Sequence, residues 1–233
     1  MHTKITSQRA QVRTVAREMS MDSRTLSLWL LALACAFLCL MASGCSIGQP
    51  TKPASFYVLT PQASMVGVAD VNTNIDAQKA DIKKIIGVGP VKIPSYIDRP
   101  QMVLRSGHDV RITLDEFNRW GEPLADNIPR IVTDMVALHA GPNVSVVQYP
   151  SASNRHANVW LTMNINRLDG AVGDSATIDT WWSIVSPEGA LLHTGRYRQT
   201  ISAGQNHTEL AEAESKLLWM ATKAAMEYVE FTE

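Results

Sequence analysis

The run Leu26 to Ala42, LSLWLLALACAFLCLMA, is the most apolar stretch of the chain. It holds Cys35 and Cys39, and the third cysteine, Cys45, lies just beyond it. No cysteine follows, so residues 46–233 must fold with neither a disulfide nor a thiolate metal site. Whatever they form is held by an ordinary hydrophobic core. With 233 residues, 45% hydrophobic and 18% charged, the chain has material for one such core and a targeting segment besides.

The run has the layout of an export signal, with Arg24 before it and small residues after it. Ala42-Ser43-Gly44-Cys45 resembles the bacterial lipobox, in which the cysteine receives a diacylglyceryl group and becomes the new amino terminus. The lipobox usually carries leucine three positions before the cysteine, where this chain has Ala42. Ser46 stands where an aspartate would resemble the inner-membrane retention signal, so the expected destination is the periplasmic face of the outer membrane. On this reading residues 1–44 are signal peptide, with Met21 or Met19 as an alternative start, 45–53 are a lipidated tether and 54–233 are the working domain. The only cofactor expected is the lipid itself, diacylglyceryl and N-acyl on Cys45. The rival reading is an uncleaved membrane anchor, because the run is about as long as the shortest spanning helices.

The full chain carries 21 basic and 22 acidic residues. Five of the former and two of the latter fall in residues 1–44, which leaves 16 against 20 in the remainder. A mildly acidic body with scattered arginines argues against nucleic acid as partner, since phosphate binding needs a concentrated basic face.

The pattern after the tether alternates strands with helices. Ser55 to Thr60 is aromatic and β-branched and stops at Pro61, while 62–81 are low in large apolar side chains, carry Asn, Asp, Gln and Gly, and read as a loop. Lys83 to Ile93 reads as a strand whose Gly87 and Gly89 predict a bulge or a close backbone approach; no phosphate-loop spacing completes them. Gln101 to Arg105 and Val110 to Leu114 read as strands joined by a turn at Ser106-Gly107-His108-Asp109.

A helix is expected from Pro123 to Ala140 with Leu124, Ile128, Ile131, Met135 and Leu138 on its apolar face, kinked or divided at Pro129. Strands follow at Val144 to Tyr149, Val159 to Asn166, Ala176 to Val185 and Leu191 to Ile201. A second helix covers Thr208 to Phe231, with Leu210, Leu217, Ala221, Ala224 and Tyr228 in register. The expected fold is α/β: a single sandwich domain with a mixed, mostly antiparallel sheet and two main helices.

Chemistry is harder to find. Ser106-Gly107-His108-Asp109 holds three triad side-chain types, but adjacent turn residues diverge and a plain turn is the better reading. His108, His139, His156, His193 and His207 show no zinc-like spacing, and His139 is expected to sit favourably against a helix carboxyl terminus. Asp115 and Glu116 would point to opposite sides of a strand. No catalytic set and no metal site is expected. Trp181-Trp182 is more informative: adjacent strand residues face opposite ways, so either two helices cover both rings or one ring marks a partner surface.

FYVLTP from Phe56, IGVGPVKIPSYIDRPQMVLR from Ile86 and EFNRWGEPLADNIPRIVTDMV from Glu116 together resemble the PqiC-like (YmbA) lipoproteins, auxiliary subunits of ABC-type envelope transport systems. The recurrent signatures correspond to Asp98, Arg99, Pro100, Gln101, Trp120, Pro123, Leu124 and Ile128, with Pro129 as a departure. The resemblance implies a non-enzymatic adaptor in the outer membrane, partner of an MCE (mammalian cell entry) protein in lipid transport between membranes and so a contributor to envelope integrity. Self-association stays open. The alternative is a periplasmic lipid carrier with its own acyl-chain cavity. Arg99 can fork onto a carboxylate or onto backbone carbonyls, inside the domain or across an interface.

Overall fold

The computed structural model describes residues 23–42, 51–61, 84–107, 109–141, 143–150 and 156–229. Cys45, most of the expected tether, the expected loop 62–81 and His108 lie outside these residues. The chain divides into two units, Met1–Thr51 and Lys52–Glu233. The first contains helix α1, Ser23–Ala42, whose Leu28, Trp29, Leu33 and Phe37 are exposed. No helix among the described residues is long and apolar enough to cross a membrane.

The second unit is a mixed eight-stranded sheet with two helices: β1 Ser55–Tyr57, β2 Lys84–Lys92, β3 Gln101–Leu104, β4 Thr113–Trp120, α2 Leu124–Ala140, β5 Val144–Gln148, β6 Val159–Gly170, β7 Ser175–Val185, β8 Leu191–Ser202 and α3 His207–Met226. The α/β class, the mixed sheet and the two main helices of the domain are as the sequence predicts. β6 organises the sheet. One of its edges pairs antiparallel with β7, which pairs antiparallel with β8; its other edge is shared by parallel β2 and, at Leu104–Gly170, parallel β3. β5 extends β2 in parallel, while β4 extends β3 antiparallel and carries β1 in parallel.

Both helices cover one face. Period-two alternation sends Val159, Leu161, Met163 and Ile165 of β6, with Ile178, Trp182 and Ile184 of β7, into a core closed by Ile128, Ile131 and Met135 of α2 and Leu210, Leu217, Leu218 and Ala221 of α3. Each of the valine, leucine, isoleucine and methionine side chains contributes about 1.5–3 kcal/mol by leaving water. The glycines of β2 serve both expected purposes. A Cβ on Gly87 would lie 2.3 Å from the Trp160 ring, and the register of β2 against β6 slips between Val88 and Val91, where Gly89 has φ +120°.

Several expectations change. Pro129 does not divide its helix: α2 runs through it, because a proline in the second turn removes one hydrogen bond and the carbonyl left without a donor belongs to exposed Ala125. Leu138 is exposed on α2, whereas Asn127, Val132 and Val136 are buried. The strand expected at Val110 to Leu114 is instead Thr113–Trp120, so EFNRW is strand. Asp115 makes this possible. Its Oδ1 accepts the Phe117 and Asn118 amides, 3.0 Å each, holding a bulge opposite the Gln101–Met102 step of β3. The second helix ends at Met226, with Ala224 half-buried and Tyr228 exposed beyond it.

Candidate functional site

The fold brings two of the sequence signatures together. The turn after β2 and the turn after β4 line one cleft of about 330 Å³, formed by Asp98, Arg99, Pro100, Trp120, Gly121, Glu122 and Pro123. Its floor is rigid because each signature residue but one is tied to the scaffold. Pro123 occupies the N-cap position of α2 and offers no side-chain cap; Asp98 supplies it from the other loop, its Oδ1 accepting the Ala125 amide at 3.2 Å. The Pro100 carbonyl accepts the Trp120 amide at 2.7 Å, and the Tyr57 carbonyl accepts that of Gly121 at 2.7 Å. Trp120 is thereby held with its ring buried.

The remaining signature residues lie off the cleft. Leu124 and Ile128 are core, and Gln101 donates from Nε2 to Glu116 Oε2 at 3.2 Å. Glu122 accepts hydrogen bonds from Asn127 and Arg130. Arg99 alone is exposed with a guanidinium that makes no hydrogen bond or ion pair among the described residues; only its amide is engaged, donating to the Ile97 carbonyl at 2.8 Å. With Asp98 accepting from the helix and Glu122 paired with Arg130, Arg99 is the one guanidinium of the cleft without a partner among the described residues, in a planar, bidentate form suited to a carboxylate or to backbone carbonyls.

Sequence reading missed what anchors this loop. Tyr96, two residues before Asp98, donates its hydroxyl to Asp169 Oδ2 at 2.5 Å, and burial first, then that hydrogen bond, raises the phenol well above its ordinary pKa. Asp169 is fully buried, bonded by Arg167 Nε at 2.8 Å and approached by Arg105 Nε at 3.4 Å; Arg105 also stacks on the Tyr96 ring, 5.0 Å from its centroid. The nearby Glu214 of α3 is likewise buried, and burial followed by the charge of Asp169 pushes its carboxyl well above the usual range. The available signal was RLDG at the end of an apolar alternating strand. A bulge between Ile165 and Arg167 shifts the alternation, so that Arg167 and Asp169 leave the apolar face while Leu168 keeps to it.

Other candidates resolve differently. The Asp109 amide donates to the Ser106 carbonyl at 2.9 Å, as a turn requires. His139 stands in the last turn of α2, as expected, and packs on Trp219, ring centroids 4.0 Å apart; burial, then Lys223, lowers its pKa. Asp115 and Glu116 do diverge, the first toward His207 (2.9 Å) and the second toward Gln101 and Arg119. No cluster of metal-ligating residues occurs among the described residues. Trp182 is buried and Trp181 is 47% exposed, so the helices cover only one of the pair.

The family model for the ABC-type transport auxiliary lipoprotein component matches residues 67–224, more than half of the chain. The chain belongs to this family. That membership agrees with the PqiC-like resemblance read from the motifs and assigns a role as auxiliary component of an ABC-type transport system rather than an enzyme class. No curated protein matches the sequence. Among solved structures, that of an uncharacterized protein aligns over 77% of this chain and 100% of its own at 14% identity and TM-score 0.60. A Xanthomonas campestris protein aligns over 74% and 92% at 15% identity and TM-score 0.51. Both share the fold of this chain. The PelC dodecamer from Paraburkholderia phytofirmans, at 12% identity, 62% and 87% coverage and TM-score 0.38, is too distant to bear on assembly.

Proposed function

We propose that this auxiliary lipoprotein is anchored by lipid on Cys45 in the outer membrane and acts as the periplasmic adaptor of an MCE-type system that moves phospholipid between membranes. The observation that carries the reading is the cleft in which the family signatures converge. Three hydrogen bonds, Asp98 with Ala125, Pro100 with Trp120 and Tyr57 with Gly121, brace the two loops, and the one side chain left over, Arg99, is a recognition group rather than a structural one. A lipobox ahead of a domain with a braced loop and one free guanidinium fits an adaptor that must be held near a bilayer while gripping a protein. Cys45, Asp98, Arg99, Pro100, Trp120 and Pro123 are the residues assigned to that work.

Purification of the lipoprotein from its own envelope tests this. The MCE-domain protein of the same transport system is expected to co-purify, and mass spectrometry is expected to find the amino terminus at an acylated Cys45. An intact peptide spanning Leu40 to Pro50 would refute the anchor. Phospholipid held stoichiometrically by the delipidated chain, with no MCE partner, would replace the adaptor by a lipid carrier.

A further inference from the structure

β8 is 12 residues long, about twice the common strand length, and among the described residues it pairs only with β7. Its far edge therefore offers a row of backbone donors and acceptors to one more strand. Both side-chain rows along that edge carry positive charge. On the face away from the helices stand Thr194, Arg196 and Arg198, with Trp181 opposite Arg196 and the guanidinium 5.6 Å from its ring centroid. On the helix side, Tyr197 joins Lys216, Trp219, Met220 and Lys223 of α3, with Glu227 at the end, around a groove of about 560 Å³. Asp179 hydrogen-bonds Arg196 at 2.8 Å and also stands opposite Arg198, so one carboxylate faces two guanidinium groups; Lys216 and Lys223 make no ion pair among the described residues, though Glu212 and Glu227 lie four positions from them along the chain. β8 itself contains no acidic residue.

We propose that β8 docks an extended acidic segment of a partner protein by strand addition. Acidic side chains of that segment meet Arg198 on one face and Lys216 and Lys223 on the other, while its apolar side chains enter the groove against Trp219 and Met220. Charge also argues against self-pairing of β8 with the β8 of a second copy. An antiparallel pairing of two β8 strands about Tyr197 sets Arg196 against Arg198, and like charges directly opposite destabilise a ladder. The inference stands independently of the lipid-transport reading, because it concerns a different surface and needs only a protein partner.

The test uses the full chain and two synthetic peptides, one alternating valine with glutamate and one alternating valine with lysine. Hydrogen exchange read by mass spectrometry is expected to slow by about tenfold or more across Leu191–Ser202 with the glutamate peptide and to be unchanged with the lysine peptide. The exposed pair Arg198→Glu and Lys223→Glu is expected to weaken that binding by about tenfold or more while circular dichroism stays unchanged. Unaltered exchange in β8 at saturating glutamate peptide would overturn the proposal, as would equal protection by the lysine peptide. Protection of β8 by self-association without any peptide would overturn it in favour of a second copy.

Discussion

Trp181 and Trp182 are neighbours in sequence and opposites in circumstance. Trp182 lies 5% exposed beneath α3, its ring against Tyr228 at 5.0 Å and against the backbone of Gly195 across the ladder. Trp181 is 47% exposed on the other face beside Arg196. The same residue type on the same strand is thus spent on packing in one position and left available in the other. The comparison separates what this domain needs in order to fold from what it displays, and the same division runs through the cleft, where Asp98 braces and Arg99 does not.

The largest expected effect sharpens the first half of that contrast. Trp182→Ala should destabilise the domain by about 3–5 kcal/mol, and Trp181→Ala by less than about 1 kcal/mol, measured by urea unfolding. Comparable losses at both would erase the distinction between the faces. Gly195→Ala comes next. Its Cβ would fall 2.4 Å from the Trp182 ring, an overpacking expected to cost about 1–3 kcal/mol. A stability equal to wild type would mean that the ring has room the packing denies it.

In the cleft, Asp98→Ala should cost about 1 kcal/mol through the lost cap of α2, while Arg99→Ala should leave unfolding unchanged. Glu214 supplies a pH-dependent version of the contrast. Its folded pKa lies above the unfolded value, so the neutral acid supports the fold below the ordinary carboxylate range, and that support is lost as pH rises toward the folded pKa. Glu214→Gln should therefore melt higher than wild type at about pH 8 and converge with it near pH 4. A constant difference across that range would show that Glu214 does not change protonation between the folded and unfolded chain.

Local pattern made much of this legible. Period-two alternation in β6 and β7, the glycines of β2 and the 3.6-residue period of α2 each depend on neighbours within a few positions, so the sequence displays them. The adjacency of Trp181 and Trp182 already implied two faces. What escaped is what depends on contacts between distant segments. The pairing of Tyr96 with Asp169 spans 73 positions, and the capping of α2 by Asp98 spans 27. The division considered at Pro129 does not occur: propensity argues for a break, while the buried apolar face of α2 carries the helix across it. The position of His139 at the helix end was legible, but its packing on Trp219 was not, because that ring comes from another helix. In the cleft, the two loops could be named from their motifs. Which of their residues is free could be decided only once the partners of all the others were in place.

Retention of the MCE-domain protein by Arg99→Ala, beside wild type and with both melting curves recorded, probes the adaptor assignment most directly. The variant should melt with wild type and lose its partner. A variant that melts with wild type and still retains the partner would contradict the assignment, and so would one that loses stability and partner in equal measure.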